Sequence, residues 1–337
     1  MSSTIKNSPA ILASYVLAAL ALLLVLKAGL LVALYSGLLV YSLVHLLTPT
    51  IEKKFNNKQA RMIAVILLSS LIVTSISVSI WACLVFFRSD AGSMQSLLEK
   101  MAAIIEASRS QLPSVLSSYL PEGVDPLKGV LSNWLREHSG EAKLLSQEAG
   151  HLIVHLLLGM IIGSMVALQD VNSNRQYRVF AAALHQRITI LVEMFQKVVF
   201  AQVRISLINT LFTGIYLAIV LPLAGVHLPL TKSMIAITFF AGLIPVAGNI
   251  ISNTVIVIVS LAHSPQMAAI SLAYMVIIHK LEYFLNARII GSQINAKAWE
   301  LLTAILVMEA LFGLAGVAAA PVFYAYIKKE LSNRDLV

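Results

Sequence analysis

The chain has 337 residues, of which 58% are hydrophobic and only 12% charged, whereas soluble domains carry about 25% charged residues; this composition excludes a soluble enzyme or binding module and identifies an all-α integral membrane protein. The net charge of +8 does not point to nucleic acid, because the basic residues cluster in short loops between apolar runs and no nucleic-acid-binding module is visible. The single cysteine, Cys83, excludes an intramolecular disulfide and a cysteine-rich metal site.

A hydrocarbon core about 30 Å thick needs about 20 helical residues. The apolar runs 9–26, 28–47, 62–87, 151–169 and 200–224 are therefore candidate spans, with the first three inside residues 1–87. The 18 residues from Pro9 to Leu26 exceed the usual signal-peptide core of about 7–15, and a second run follows almost at once, so the first run reads as a retained span. Lys27-Ala28-Gly29 supplies the turn between them. Lys53, Lys54, Lys58 and Arg61 against Glu52 place the 48–61 loop in the cytoplasm, and the N-terminus with it. Residues 88–150 carry six Lys/Arg against eight Asp/Glu, which suits an external segment. Met94, Leu97, Leu98, Met101, Ile104 and Ile105, then Leu127, Val130, Leu131, Trp134 and Leu135, recur there at helical spacing. They predict amphipathic helices lying on the membrane or on the transmembrane bundle. Residues 151–230 hold the fourth and fifth spans. Arg175, Arg178, Arg187, Lys197 and Arg204 again mark the cytoplasm between them. A stripe of Val179, Phe180, Leu184, Ile188, Leu191 and Phe195 predicts a cytoplasmic surface helix before the fifth span.

The C-terminal third, 231–327, breaks this pattern. Residues 232–263 are apolar almost throughout, interrupted only at GLIPVAGN. One straight helix there would be about 48 Å long; split at the break, each arm is about 23 Å, too short to span. The lengths describe a re-entrant hairpin. Residues 266–285 form an ordinary span, and 299–327 are interrupted again at FGLAGVAAAP (312–321). The predicted fold is thus a multi-span helical bundle with two interrupted, re-entrant hairpin-like segments in its C-terminal third. Two hairpins keep Arg288, Lys297, and the 328–337 tail with Lys328, Lys329 and Arg334, in the cytoplasm. Two full spans would keep the tail inside but expose Arg288 outside.

Interrupted backbone at membrane depth must face protein or a watery cavity, because unpaired peptide groups cost several kcal/mol in lipid. Half-helix N-termini attract anions and freed carbonyls hold cations. Pro245, Gly248, Asn249, Ser252 and Asn253 at the first break, with Gly313 and Gly316 at the second, are the candidate lining of a solute path; a packing kink is the alternative. His279, Glu282 and Asn286 share one helical stripe. Glu282 can hold a cation or a proton, or it can form an interfacial ion pair with Lys280 or Arg288. Glu309 lies within the last apolar segment just before its break and needs a partner from another helix or a proton. Glu300, beside Trp299, reads as structural at a helix start. No nucleophile elbow, HExxH or P-loop is present, so neither catalysis, a cofactor nor a metal is expected. Transport would be channel-like or driven by a gradient.

These segments resemble the autoinducer-2 exporter family of bacterial membrane transporters over nearly the whole chain. The resemblance rests on Ile244, Pro245 and Gly248; on Glu282, Arg288, Ile289 and Gly291; and on Phe312, Gly313, Gly316 and Pro321. Gln202 falls where members often carry a glutamine. Ala287 departs from the proline that many members place before the Arg-Ile run, which puts the shape of the 286–298 loop in question. The resemblance implies a multi-pass transporter of the bacterial inner membrane, with an elevator-like mechanism compatible with two hairpins. It also implies a homo-oligomer such as a pentamer, in contact with the lipid bilayer and with no nucleic-acid partner. The solute would be a small polar signalling molecule, its site at the broken helices. A sodium (lithium)/proton antiporter using Glu282 and Glu309, and a non-transporting membrane scaffold, are the alternatives.

Overall fold

A computed structural model describes residues 9–88, 139–169, 177–243, 247–261, 263–294 and 296–336, together with Gly129 and Asn133. The amphipathic stripes expected at 94–105 and 127–135 lie outside these residues, as do Ile244 and Pro245 of the first break.

The described residues are predominantly helical and contain no strand. In chain order the helices are α1 (Pro9–Lys27), α2 (Leu31–Ile51), α3 (Asn57–Arg88), α4 (Ser139–Gln169), α5 (Val179–Ile215), α6 (Thr231–Gly242), α7 (Ala247–Leu261), α8 (Pro265–Ile294) and α9 (Ala298–Ser332). By length and composition, six stretches can cross a membrane: Pro9–Lys27, Leu31–Ile51, Asn57–Ser75, Gly150–Gln169, Val179–Leu223 and Trp299–Ser332.

Several boundaries differ from those the hydropathy sets. α2 starts at Leu31 because Gly29 adopts φ 68° in the turn after α1, a conformation that carries little steric penalty without a Cβ. It then runs on through Thr48 and Pro49 to Ile51. The Thr48 hydroxyl donates to the Val44 carbonyl at 2.6 Å, so its polar group is satisfied inside the helix. α4 begins at Ser139, twelve residues ahead of the apolar run. The stripe at 179–195 and the fifth span lie on a single helix, α5, which continues through a π turn, Tyr216–Val220, to Leu223.

The chain divides into two units. One comprises Met1–Leu71, Gly150–Val203 and Leu285–Val337; the other comprises Ile72–Ala149 and Arg204–Phe284.

In the first unit, α2 and α4 cross on small residues, as helices do where lipid supplies no hydrophobic drive between them. A Cβ at Gly159 would overlap the Ala33 carbonyl, and one at Gly163 would overlap that of Gly37. The Ser36 hydroxyl donates across the crossing to the Leu156 carbonyl at 3.0 Å. Farther along, Arg61 donates to the Ala167 carbonyl at 3.1 Å near the end of α4, where carbonyls lack helical donors. Gly159→Leu is expected to force the two backbones apart and lower stability by about 3 kcal/mol, the upper end for overpacking. Thermal unfolding of the purified protein measures it, and an unchanged transition would refute the crossing.

In the second unit, Tyr216, Leu217, Leu228, Met234, Ile256, Met267 and Met275 form a buried apolar cluster. The Tyr216 ring stacks on Tyr274 at 4.1 Å. The Tyr216 hydroxyl meets Ser271 Oγ at 2.8 Å, and Ser271 meets Ser260 Oγ at 2.8 Å. All three polar groups are buried yet bonded, which removes the desolvation penalty they would otherwise carry.

Candidate functional site: two helical hairpins

The first break separates α6, 12 residues, from α7, 15 residues, or about 18 and 23 Å of helix. The arms pack side by side, and Met234 of α6 and Ile256 of α7 are buried in one cluster. Close to the turn, a Cβ at Gly248 would overlap the Ala241 carbonyl, so only glycine allows the two backbones this approach. Leu243 N–H bonds back to the Phe240 and Ala241 carbonyls. The Phe239 carbonyl is met from α5 instead, by the Ser206 hydroxyl at 2.6 Å. A Cβ on Gly242 would come within 2.7 Å of the same Ser206 oxygen. The interrupted end of α6 is therefore capped from a neighbouring helix, as its unpaired carbonyls require.

The second break lies inside α9. Its backbone is helical except at Gly313, with φ 58° and ψ −141°, a region that essentially only glycine occupies. There the chain reverses. A Cβ at Gly316 would overlap the carbonyl of Met308, eight residues earlier, whereas in a straight helix those residues would be about 12 Å apart. At the open end, Glu300 accepts hydrogen bonds from the Tyr324 hydroxyl and the Lys328 ammonium, residues that a straight helix would place about 36–42 Å away. α9 is thus a hairpin of two arms, 298–312 and 314–332, of about 23 and 29 Å. Only its length, not its path, gives the 34-residue stretch the look of a single long span.

The second arm of α9 is also held from outside. Tyr35 of α2 packs edge-on against Phe195 of α5 at 5.2 Å and donates to the Ala318 carbonyl at 3.2 Å. That carbonyl lies beside Pro321, which leaves the Val317 carbonyl without its helical donor.

The predicted site residues are distributed over both hairpins and α8. Gly248 is buried against the opposite arm. Ser252 is 1% exposed, on a buried stripe with Gly248, Ile256 and Ser260 at spacings of four. Asn253 is half-buried beside that stripe. Asn249 lies on α7, and Glu282, Asn286 and Arg288 lie on α8; only their backbone positions are described. Lys280 is exposed on α8. Glu309 is exposed on the first arm of α9, next to Met308, where the arms meet. Gly313 is the turn residue, and Gly316 is the close contact. Among the described residues no group of His, Cys, Asp and Glu is arranged to hold a metal ion.

Sequence reasoning missed a buried cluster in the first unit. Arg187 of α5 pairs with Glu330 of α9, and both side chains are almost fully buried. The Arg187 guanidinium also lies 4.2 Å above the Tyr15 ring. Arg334 approaches that ring at 5.2 Å and donates from Nε to the Tyr15 hydroxyl at 3.0 Å. The one available signal was Glu330, an acid directly following Lys328 and Lys329 in the tail, and spacing says nothing of a partner 143 residues away.

Residues 12–333 match the AI-2E family transporter model. Over 132 residues the chain is 31% identical to a Bacillus subtilis (strain 168) protein named "Putative transport protein YdbI", a match covering 38% of this chain and 36% of that protein. No solved structure matches the chain. A multi-pass helical architecture, two folded-back C-terminal segments and a family match over nearly the full length agree: this chain belongs to the AI-2E family of membrane transporters.

Proposed function

We propose that the chain carries a small polar solute across the bacterial inner membrane, by facilitation or coupled to a gradient, with the two hairpins as its solute-handling elements. The observation that supports this most is the pair of hairpins, each closed by a backbone carbonyl against a glycine. Interrupted helices within apolar segments are how transporters bring backbone dipoles to a solute. In this reading both hairpins are re-entrant, the termini are cytoplasmic and the chain acts as a homo-oligomer such as a pentamer. An elevator-like stroke is the motion it implies. Family membership favours an autoinducer-2-like signalling molecule as the solute.

A second reading, sodium (lithium)/proton antiport, is favoured by one residue. Glu309 is exposed next to the hairpin closure, among the exposed Leu306, Val307 and Leu311. A carboxylate on a lipid-facing helix costs about 2.5–3.5 kcal/mol at mid-bilayer, so that position suits a watery path or an exchanging proton. Flux measured in proteoliposomes separates the two. Solute transport predicts uptake or efflux of the polar solute that persists at reduced rate in Glu309→Gln. Antiport predicts sodium-driven proton movement that Glu309→Gln abolishes. Wild-type vesicles that move neither solute nor ions would remove both readings and leave the scaffold.

A further inference from the structure

α5 keeps α-helical register to Ile215, passes through the π turn Tyr216–Val220 and regains α register at Leu221–Leu223. Within the turn the Leu221 N–H donates to the Tyr216 carbonyl, five residues back. The Leu217 carbonyl is thereby left without a helical donor. Its α-type donor would be Leu221, which bonds to Tyr216 instead, and its π-type donor would be Pro222, which has no N–H. Leu217 is 1% exposed, so this carbonyl sits inside protein, as irregular backbone in a membrane must.

Pro222 has a second consequence. In a fully α-helical α5, Leu221 would donate to Leu217, and the carbonyl without a donor would be that of Ala218, four residues before the proline. Each register therefore leaves one carbonyl unmet. The α form loses the hydrogen-bond advantage that keeps π turns rare elsewhere, and side chains decide between the two. Those of α8 favour the π form. Tyr274 donates to the Phe212 carbonyl at 3.0 Å and stacks on the Tyr216 ring at 4.1 Å. Ser271 meets the Tyr216 hydroxyl at 2.8 Å. Tyr216 and Leu217 also share a buried cluster with Met234 of α6 and Ile256 of α7.

We propose that the π turn of α5 is a two-state hinge. In the state seen in the structure, α8 holds Tyr216 and the turn is π. In the other, Tyr216 leaves Ser271, the turn closes to α register, and the helix beyond Leu221 rotates with it. The first hairpin packs on the residues that change register, so the switch moves α6 and α7 against the part of α5 before Ile215. Two packings of nearly equal energy are what a conformational switch requires. The hinge gives a motion to the hairpin assigned above to solute handling, and it rests on that reading only for its purpose.

The experiment places nitroxide labels at Leu207 and Leu223, exposed positions on either side of the turn and about 24 Å apart along a helix. The full-length protein, with Cys83→Ser to remove its native thiol, is reconstituted in lipid nanodiscs, and double electron–electron resonance reads the distance. The parent protein is expected to show a main distance, that of the π form, and a second, minor one. Pro222→Ala supplies the missing N–H, so that in α register every carbonyl of the turn has a donor, and the second distance is expected to become the main one. Ser271→Ala loosens the hold of α8 and is expected to enrich the second distance about threefold, the effect of one interhelical hydrogen bond in a membrane. It keeps the proposal testable if Pro222→Ala fails to fold. One distance shared unchanged by the parent and both variants would overturn the hinge. Labels report backbone geometry rather than flux, so the hinge and the transport reading fail independently.

Discussion

Glu330→Ala is expected to destabilise the protein by about 3–5 kcal/mol, the loss that follows when one partner of a buried ion pair is removed. The size of the effect comes from burial. The Arg187 and Glu330 side chains are 5% and 6% exposed, so a guanidinium left behind has little water to solvate it. An exposed pair would contribute only about 0–1 kcal/mol, and the measured loss decides between the two regimes. Arg187 also faces Tyr15, with Arg334 on the same ring, so deleting the carboxylate leaves the buried Arg187 guanidinium without its anion. The double variant Arg187→Met with Glu330→Leu removes both charges and is expected to recover most of the loss, because buried pairs are often replaceable by apolar residues at little cost. Thermal and denaturant unfolding of the four proteins in a double-mutant cycle measure this. A loss below about 1 kcal/mol for Glu330→Ala would show that water reaches the pair.

The second large effect is expected at the α9 turn. Gly316→Val places side-chain carbon where the Met308 carbonyl already lies. Backbone cannot swing aside as a flexible side chain can, so the arms must part. Separation would carry Tyr324 and Lys328 away from Glu300 at the open end. Transport is expected to fall at least about tenfold, equivalent to about 1.4 kcal/mol of lost function, while the protein still inserts into membranes. Gly313→Ala imposes a different penalty, about 1–3 kcal/mol of backbone strain, because φ 58° and ψ −141° exclude a Cβ. Leu314→Ala is the control. Its side chain is 71% exposed, and substitutions at such positions usually stay within about 0.5 kcal/mol. If Gly316→Val and Leu314→Ala transport equally well, α9 does not work as a closed hairpin.

Much of this architecture can be read directly from the residues. Composition alone sets the solvent, since a chain 58% hydrophobic and 12% charged has too few polar groups to cover a soluble surface. The spans follow from apolar run length. Both breaks follow from local backbone chemistry, as a proline or glycine weakens a helix wherever it sits. The short arms at 231–261 were legible for the same reason. Where hydropathy misjudged the boundaries, at the start of α2 and in the early start of α4, the deciding factors were a glycine turn and polar residues that helices tolerate outside the apolar run.

The pairings were not legible, because they depend on packing rather than on neighbours in sequence. Run length is the same for a straight helix and a folded one, so only the contact of Gly316 with Met308 and the Glu300–Lys328 pair distinguish a hairpin from a span in α9. Ser252 was readable as a polar residue near a break, but its place on the buried stripe of α7 depends on what packs against that face. Arg187 and Glu330 were two unremarkable charges until α5 and α9 came together across 143 residues. The sequence by itself determined the membrane, the spans and the points where helices must stop, because hydropathy and backbone propensity are local quantities. Only the tertiary structure decided which arms fold back and which charges are buried together, because both depend on groups far apart in the chain sharing a space that excludes water.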